Sequence, residues 1–277
     1  MTDLLALLWA PFLMCLVLTG IHAYLGLHVL AREVVFVDIA LAQIAALGAT
    51  AAFLAGLDLD SPLSYGFALG ATILGALVLA LTRSRERHVS QEAIIGVVYA
   101  VSAAASVLLV ANAPHGAEYL RGMLVGNILT VGGRDVLGVA VLYAGVGVVH
   151  WVCRTPFFLI SNDPEQAWRE GWHVRAWDFL FYASFGVVVT SSVRIAGVLL
   201  VFSYLIVPAL AAITVARTTR VRLLIAWAFG AAVSVLGVGA SAALDLPTGA
   251  AVVCAFGVSL LAAGGARALV RRRAPAA

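Results

Sequence analysis

Apolar stretches long enough to cross a membrane recur along the whole chain, and this repetition constrains the fold more than any other feature. Of the 277 residues, 63% are hydrophobic and only 11% are charged. A helix crosses the ~30 Å hydrocarbon layer in ~20 residues, whereas the core of a soluble protein could not bury this much apolar surface. The sequence therefore predicts an all-α, polytopic helical membrane protein with a single transmembrane domain over residues 1–277.

The apolar pattern predicts about nine membrane spans, and the arginines predict their orientation. An N-terminus outside the cell places fourteen of the 17 basic residues on the cytoplasmic side and only Arg121, Arg134 and Arg194 outside. Because positive charge favours cytoplasmic loops, we expect the C-terminus in the cytoplasm. The glycine-rich piece Glu118–Val131 is too short to span and is expected to form a half-helix on the outer side. The predicted spans are 4–30, 34–57, 62–82, 93–111, 134–154, 176–192, 195–216, 223–243 and 249–268.

The absence of lysine excludes several functions. All 17 basic residues are arginine, whereas a nucleotide-binding P-loop needs a lysine on the phosphates and a Schiff-base enzyme needs a lysine amine. Any ATP hydrolysis must therefore come from another polypeptide. The three cysteines, Cys15, Cys153 and Cys254, lie far apart within apolar runs. We expect them to be small hydrophobic residues rather than a disulfide or a thiolate site.

A strongly polar insertion, Ser161–Gly171, separates two long apolar stretches on the predicted cytoplasmic side. Asp163 is suited to cap a helix, Pro164 suits its first position, and Glu165 suits its positive end. Gly171 can end the helix in a left-handed conformation. The pattern predicts a short two-turn helix, which either docks into a cleft of a partner protein or rests on lipid headgroups with its tryptophans at the interface.

Four polar side chains lie at membrane depth in the first two predicted spans, where such groups are costly and often mark a transport pathway. They are His22, His28, Asp38 and Gln43. The spans turn around residues 32–33, so His28 and Asp38 each lie ~8 Å from the turn, and His22 and Gln43 lie near the bilayer middle. A rotation of ~100° per residue prevents all four from sharing one narrow face. An imidazole with a carboxylate suits zinc or manganese, so His28 and Asp38 form either a metal site or an internal ion pair.

The polar insertion also carries a recognisable motif. Residues Glu165 to Gly171 match E-x-A-x-x-x-G, with Ala167 as the alanine, and the chain resembles the permease subunits of ABC importers that carry zinc, manganese or iron. The resemblance implies a homodimer in the bacterial inner membrane, driven by two copies of a separate ATPase and supplied by a periplasmic or surface binding protein. It implies contact with membrane lipid but none with nucleic acid, and a divalent metal as cargo rather than as a cofactor. The supporting segments are Asp163–Gly171, Val198–Ala209, Asp245–Gly249, Ala93–Tyr99 and Gly126–Leu129.

The resemblance also assigns roles to residues. It implies that Asp163, Pro164, Glu165, Ala167 and Gly171 form the helix that couples the permease to its ATPase. Metal permeases of this group usually read G-D-A-L-S-H-A at the start of the second span.

The second span departs from that pattern at its two ligand positions. Gln43 takes the position of the histidine, and Asp38 is displaced by one place from that of the aspartate. The usual ligand pair is therefore not intact, so either His22 or His28 replaces the missing ligand or the cargo is a different metal species.

Two other functions remain open on the sequence alone. A permease for an iron chelate or cobalamin would want a wide pathway of apolar and neutral polar groups, which the missing histidine favours. A membrane-embedded enzyme would need a clustered set of acid, base or nucleophile, and no span carries H-E-x-x-H. We therefore expect a transport subunit that is not itself an enzyme.

Overall fold

The protein is an all-helical bundle. The computed structural model describes residues 2–58, 61–84, 90–111, 122, 125–126 and 128–273, and within these ranges it contains ten α-helices and no strand. The helices are α1 (Thr2–Ala31), α2 (Val37–Leu54), α3 (Pro62–Leu81), α4 (Gln91–Val110), α5 (Gly133–Val152), α6 (Arg154–Asn162), α7 (Pro164–Arg169), α8 (Val174–Val215), α9 (Thr219–Leu244) and α10 (Thr248–Arg273).

Eight of the described helices are long and apolar enough to cross a membrane. One of them, α8, has 42 residues and would extend ~63 Å if straight, about twice the hydrocarbon thickness. Its backbone is broken at Gly197, where φ is 74° and ψ is 160°. The left-handed φ is accessible to glycine at little cost.

The break at Gly197 reverses the direction of the chain. Before it, Ser192 Oγ lies 3.3 Å from His22 Nε2 of α1. If α8 continued as one helix, Leu205 would lie ~20 Å beyond the level of Ser192 and His22. Instead, Leu205 packs against Gly26, which lies on the opposite side of His22 along α1. Thus α8 comprises two spans, 174–196 and 198–215, and the described residues contain the nine crossings predicted from the sequence. The reversal lies slightly beyond the predicted loop, because the break needs a glycine.

Two of the long helices, α3 and α4, start at serine side-chain caps. Ser61 Oγ accepts a hydrogen bond from the Ser64 amide at 3.2 Å, just before Pro62 begins α3. Ser90 Oγ accepts one from the Ala93 amide at 3.2 Å to begin α4. Such caps satisfy amide groups that have no partner within the first helical turn.

The core of the bundle lies around α8 and α1. Both halves of α8 contribute to it, and α8 packs against α1, α2, α3, α9 and α10, while α2 packs between α3 and α4. Close approach depends on glycine at Gly26, where an added Cβ would collide with the Leu205 carbonyl oxygen. Small residues allow this proximity where no hydrophobic effect drives helices together in lipid.

One end of the bundle carries the polar features relevant to function. Here α1 turns into α2 through Glu33, which has a left-handed φ of 57°, and Arg32, Arg83 and Trp168 line a common cleft. We call this end the arginine face, defined by Arg32, Arg83 and α7. The opposite end holds Gly126 and the break at Gly197, which are in contact.

Seven of the fourteen residues of the predicted outer half-helix, Glu118–Val131, lie outside the described residues. Within its described part, Ile128–Thr130 forms a short 3-10 turn next to α1.

Candidate functional site

The polar insertion forms a short helix, α7, whose start follows the sequence pattern. Asp163 Oδ1 accepts a hydrogen bond from the Gln166 amide at 2.8 Å, and Pro164 occupies the first helical position. Proline is well suited there, because its missing N–H would have no partner in the first turn. The predicted helix start is therefore confirmed.

The end of α7 also agrees with the prediction. Gly171 has φ of 79°, and the following Trp172 amide donates to the Ala167 carbonyl oxygen at 3.0 Å. This is the left-handed closure that favours glycine. An added Cβ at Gly171 would meet nothing within 4 Å, so only the backbone conformation limits substitution.

One side of α7 anchors it to the bundle and the other faces outward. Ala167 is 0% exposed and packs in a cluster with Ile160 and Val174. Trp168 and Trp172 pack against the same cluster, so both tryptophans are used for anchoring. The outward side presents the exposed residues Glu165, Gln166, Arg169 and Glu170. A rigidly attached helix with an exposed polar side is suited to dock on another protein.

Beneath α7 lies a buried network of charged and polar groups. Arg32 Nη1 lies 2.5 Å from Asp178 Oδ1, and both side chains are fully buried. Arg83 Nε lies 3.6 Å from the other oxygen of Asp178, and the Arg32 guanidinium stacks 3.9 Å from the centre of the Phe181 ring. The network joins the end of α1, the segment after α3 and the start of α8.

Ser161, in the last turn of α6, connects this network to α7. Arg32 Nε donates to Ser161 Oγ at 2.8 Å, and the Ser161 hydroxyl donates to the Phe157 carbonyl oxygen at 2.7 Å. His28 Nδ1 lies 2.8 Å from the same Oγ. Sequence reasoning did not single out Ser161 or Asp178, although a carboxylate near the start of a predicted span was an available signal for the latter.

His28 and Asp38 are both buried, but they are not bonded to each other. His28 uses Nδ1 on Ser161, and its Nε2 has no hydrogen-bond partner within the described residues. The same part of the chain shows no ion pair between His28 and Asp38, so the internal pair considered from the sequence is not formed.

Asp38 is the most unusual of the four membrane-depth residues. It is 1% exposed and lies at the second position of α2. Neither carboxyl oxygen has a hydrogen-bond partner within the described ranges. A buried charge without a partner is costly, although the positive end of the α2 dipole offsets part of that cost. Asp38 is thus a buried acceptor group with unused coordination capacity.

The other two residues have different surroundings. His22 is fully buried, with Nδ1 2.9 Å from the Leu18 carbonyl oxygen and Nε2 3.3 Å from Ser192 Oγ. Gln43 is partly buried. The described residues contain no group of three or more His, Cys, Asp or Glu side chains that could hold a metal ion. One chain therefore offers isolated donors rather than a complete coordination shell.

A cleft of about 390 Å³ opens at the arginine face, between α7, the α1–α2 turn and the start of α4. Charged residues of both signs line it, including Arg32, Glu33, Arg83 and Glu165. The cleft places the exposed start of α7 next to the buried network.

Comparisons with known proteins agree with this architecture. The model of the family described as the ABC 3 transport family matches residues 5–264. The chain is 27% identical over 214 residues to the manganese import system permease protein ScaB of Streptococcus parasanguinis, covering 76% of this chain and 75% of that protein. It is 27% identical over 190 residues to a Haemophilus influenzae protein named as a probable iron transport system membrane protein, covering 68% and 67% of the two chains.

The fold is also similar to a solved structure. A chain in the structure of PsaBC from Streptococcus pneumoniae in complex with Fab superposes with a TM-score of 0.77 at 21% identity. The match covers 95% of this chain and 93% of that one. The helical arrangement is therefore one already seen in a solved protein.

Proposed function

The chain belongs to the ABC 3 transport family, a family of ABC transporter permeases, and from that premise we propose that it is the membrane-spanning subunit of an importer for a divalent metal ion. The cargo is zinc, manganese or iron. Relatives named for manganese import and for iron transport support this cargo class. In this proposal the metal is the substrate of the chain and not a resident cofactor.

The observation that carries the proposal is the geometry of α7. Its ends are fixed by Asp163, Pro164 and Gly171, its inner side is anchored through Ala167, and its outer side presents Glu165. This arrangement fits a coupling helix that sits in a cleft of a separate ATP-binding subunit. The lack of lysine excludes a P-loop on this chain, which supports nucleotide hydrolysis on another polypeptide.

The arginine distribution supports placing the arginine face in the cytoplasm of a bacterial cell. With nine crossings, the N-terminus then lies outside and the C-terminus inside. This orientation exposes α7 to the compartment that contains ATP, as coupling to an ATPase requires.

Asp38 is the residue we assign to the metal pathway. A divalent cation would satisfy the two carboxyl oxygens that have no partner among the described residues, and carboxylate oxygen is a good ligand for manganese, iron and zinc. Attraction between a dication and a carboxylate is much stronger in the membrane interior than in water.

The remaining membrane-depth residues are secondary members of the same pathway. His28 offers a buried imidazole nitrogen, Nε2, for which the described residues provide no partner. His22 would have to exchange its contact with Ser192 to bind metal. Gln43 can contribute only a neutral amide oxygen. A homodimer would let two chains contribute donors to one pathway, which suits the incomplete donor set of a single chain.

The other partners follow from the importer architecture. A periplasmic or surface metal-binding protein would deliver cargo to the outer end, and lipid would cover the apolar outer surfaces of the bundle. Gln43 in place of a histidine favours one second candidate, a permease for an iron chelate or cobalamin, because a large neutral complex needs fewer ionic ligands.

The proposal is tested by reconstituting the chain with its ATPase in proteoliposomes and measuring uptake of radioactive manganese, zinc and iron. We expect ATP-dependent uptake of at least one free dication. Purified chain without the ATPase is the matched control and should show none.

Two results would contradict the proposal. Uptake of a chelate but of no free metal would favour the second candidate. ATP-independent uptake by the isolated chain would remove the need for an ATPase partner.

A further inference from the structure

The network beneath α7 connects the exposed helix to the part of the bundle that carries Asp38. Ser161 lies two residues before Asp163, the cap of α7, and is 2% exposed. A displacement of α7 therefore acts directly on the last turn of α6. The hydrogen bonds of Ser161 connect that turn of α6 to the end of α1.

The hydrogen-bonding capacity of Ser161 is fully used. Its hydroxyl proton is donated to the Phe157 carbonyl oxygen at 2.7 Å, and its oxygen accepts from Arg32 Nε at 2.8 Å. His28 Nδ1, at 2.8 Å, must then be the protonated ring nitrogen and the donor. Both residues that donate to Ser161 belong to the C-terminal end of α1 and the turn that follows it.

The α1–α2 turn is held by hydrogen bonds within it and by an ion pair to α8. The Arg32 amide donates to the His28 carbonyl oxygen at 2.9 Å, and the Val37 amide donates to the Val34 carbonyl oxygen at 3.2 Å. On the far side of the network, Asp178 holds the Arg32 guanidinium against α8. The turn leads directly into α2, where Asp38 is the second residue.

We infer that Ser161 is a positioning residue that transmits movement of the coupling helix α7 to the α1–α2 turn, and through it to Asp38. The physical reason is the cost of breaking a buried, charged hydrogen-bond network, in which every lost contact leaves a polar group unsatisfied. The network therefore favours movement of the α1–α2 turn together with α7 over movement of one away from the other. This inference rests on the proposed transport function.

The test compares three variants in the complex reconstituted with its ATPase. Ser161→Ala removes the connecting hydroxyl, whereas Ser161→Thr retains it. Ser234→Ala is the matched control, because Ser234 is equally buried and donates to a carbonyl one turn earlier at 2.7 Å. Its other contact, with Tyr204 at 2.8 Å, lies away from α7. For each complex we measure metal ions transported per ATP hydrolysed, together with abundance and thermal stability.

We expect Ser161→Ala to hydrolyse ATP but to transport about 2- to 30-fold less metal per ATP, the range found when coupling between sites is altered. Ser161→Thr should stay close to the wild type, and Ser234→Ala should keep the wild-type ratio. An unchanged ratio in Ser161→Ala would overturn the inference while leaving the proposed function intact. An equal fall in Ser161→Ala and Ser234→Ala would also overturn it. Failure of the wild-type complex to take up metal would overturn the proposed function and this inference together.

Discussion

Removal of the Asp178 carboxylate provides a quantitative test of the buried network at the arginine face. The Asp178→Leu substitution leaves Arg32 fully buried without its anionic partner, which lies 2.5 Å away in the native structure. Loss of one member of a buried ion pair costs about 3–5 kcal/mol of folding free energy. Asp178→Leu also removes the carboxylate next to Arg83, but this side chain is 11% exposed and can turn toward water. The loss of that second contact therefore adds little to the cost.

The double variant Arg32→Met with Asp178→Leu is the matched control. Replacing both members of a buried pair by apolar groups is often close to neutral. The double variant also loses the bond from the charged Arg32 guanidinium to Ser161, worth about 1.5–3 kcal/mol, so its cost should stay below that of the single variant. Unfolding by denaturant titration in mixed micelles, followed by tryptophan fluorescence, measures both variants. A cost below about 1 kcal/mol for Asp178→Leu would refute the reasoning. Equal destabilisation of the single and double variants would refute it as well.

Three further predictions concern orientation, coupling and packing. A single cysteine at Asn162, on a cysteine-free background, should react with a membrane-impermeant reagent only from the cytoplasmic side; labelling from the periplasm would reverse the proposed orientation. Gly171→Val strains a left-handed position by about 1–2 kcal/mol and should reduce both uptake and co-purification of the ATPase, with Gly171→Asn milder because asparagine tolerates that conformation. Glu165→Ala should reduce uptake without affecting membrane insertion, and wild-type uptake in both Gly171→Val and Glu165→Ala would remove the coupling assignment. Gly26→Ala, but not Gly20→Ala, should lower the amount of folded protein, because only the former meets a facing backbone carbonyl; equal yields would argue against that close contact.

The sequence was sufficient for features that depend on local chemistry. The spans follow from runs of apolar residues, and α7 follows from a capping aspartate, a proline and a closing glycine within nine residues, Asp163 to Gly171. The reversal within α8 was placed near Arg194, where a charge interrupts the apolar run. The structure places it at Gly197, because the backbone there has a left-handed φ.

The buried contacts between distant segments could not be read from the sequence. His28 meets Ser161 across 133 positions, and Arg32 meets Asp178 across 146. Helical rise predicts the depth of a residue, but the partner it faces depends on how the helices pack. For that reason the similar depths of His28 and Asp38 suggested a pair, whereas packing directs His28 toward α6.

The most direct test of the central claim is metal uptake by complexes that carry Asp38→Asn, His28→Ala or both, compared with the wild type at equal amounts of assembled complex. Asp38→Asn keeps the shape of the side chain but removes the charge that a dication needs. We predict that uptake falls at least about tenfold in Asp38→Asn, with His28→Ala also reduced and assembly unchanged. Wild-type uptake in Asp38→Asn, or recovered uptake in the double variant, would contradict the account, because neither of the two donors assigned to the pathway would remain in the double variant and the carboxylate would be missing in both.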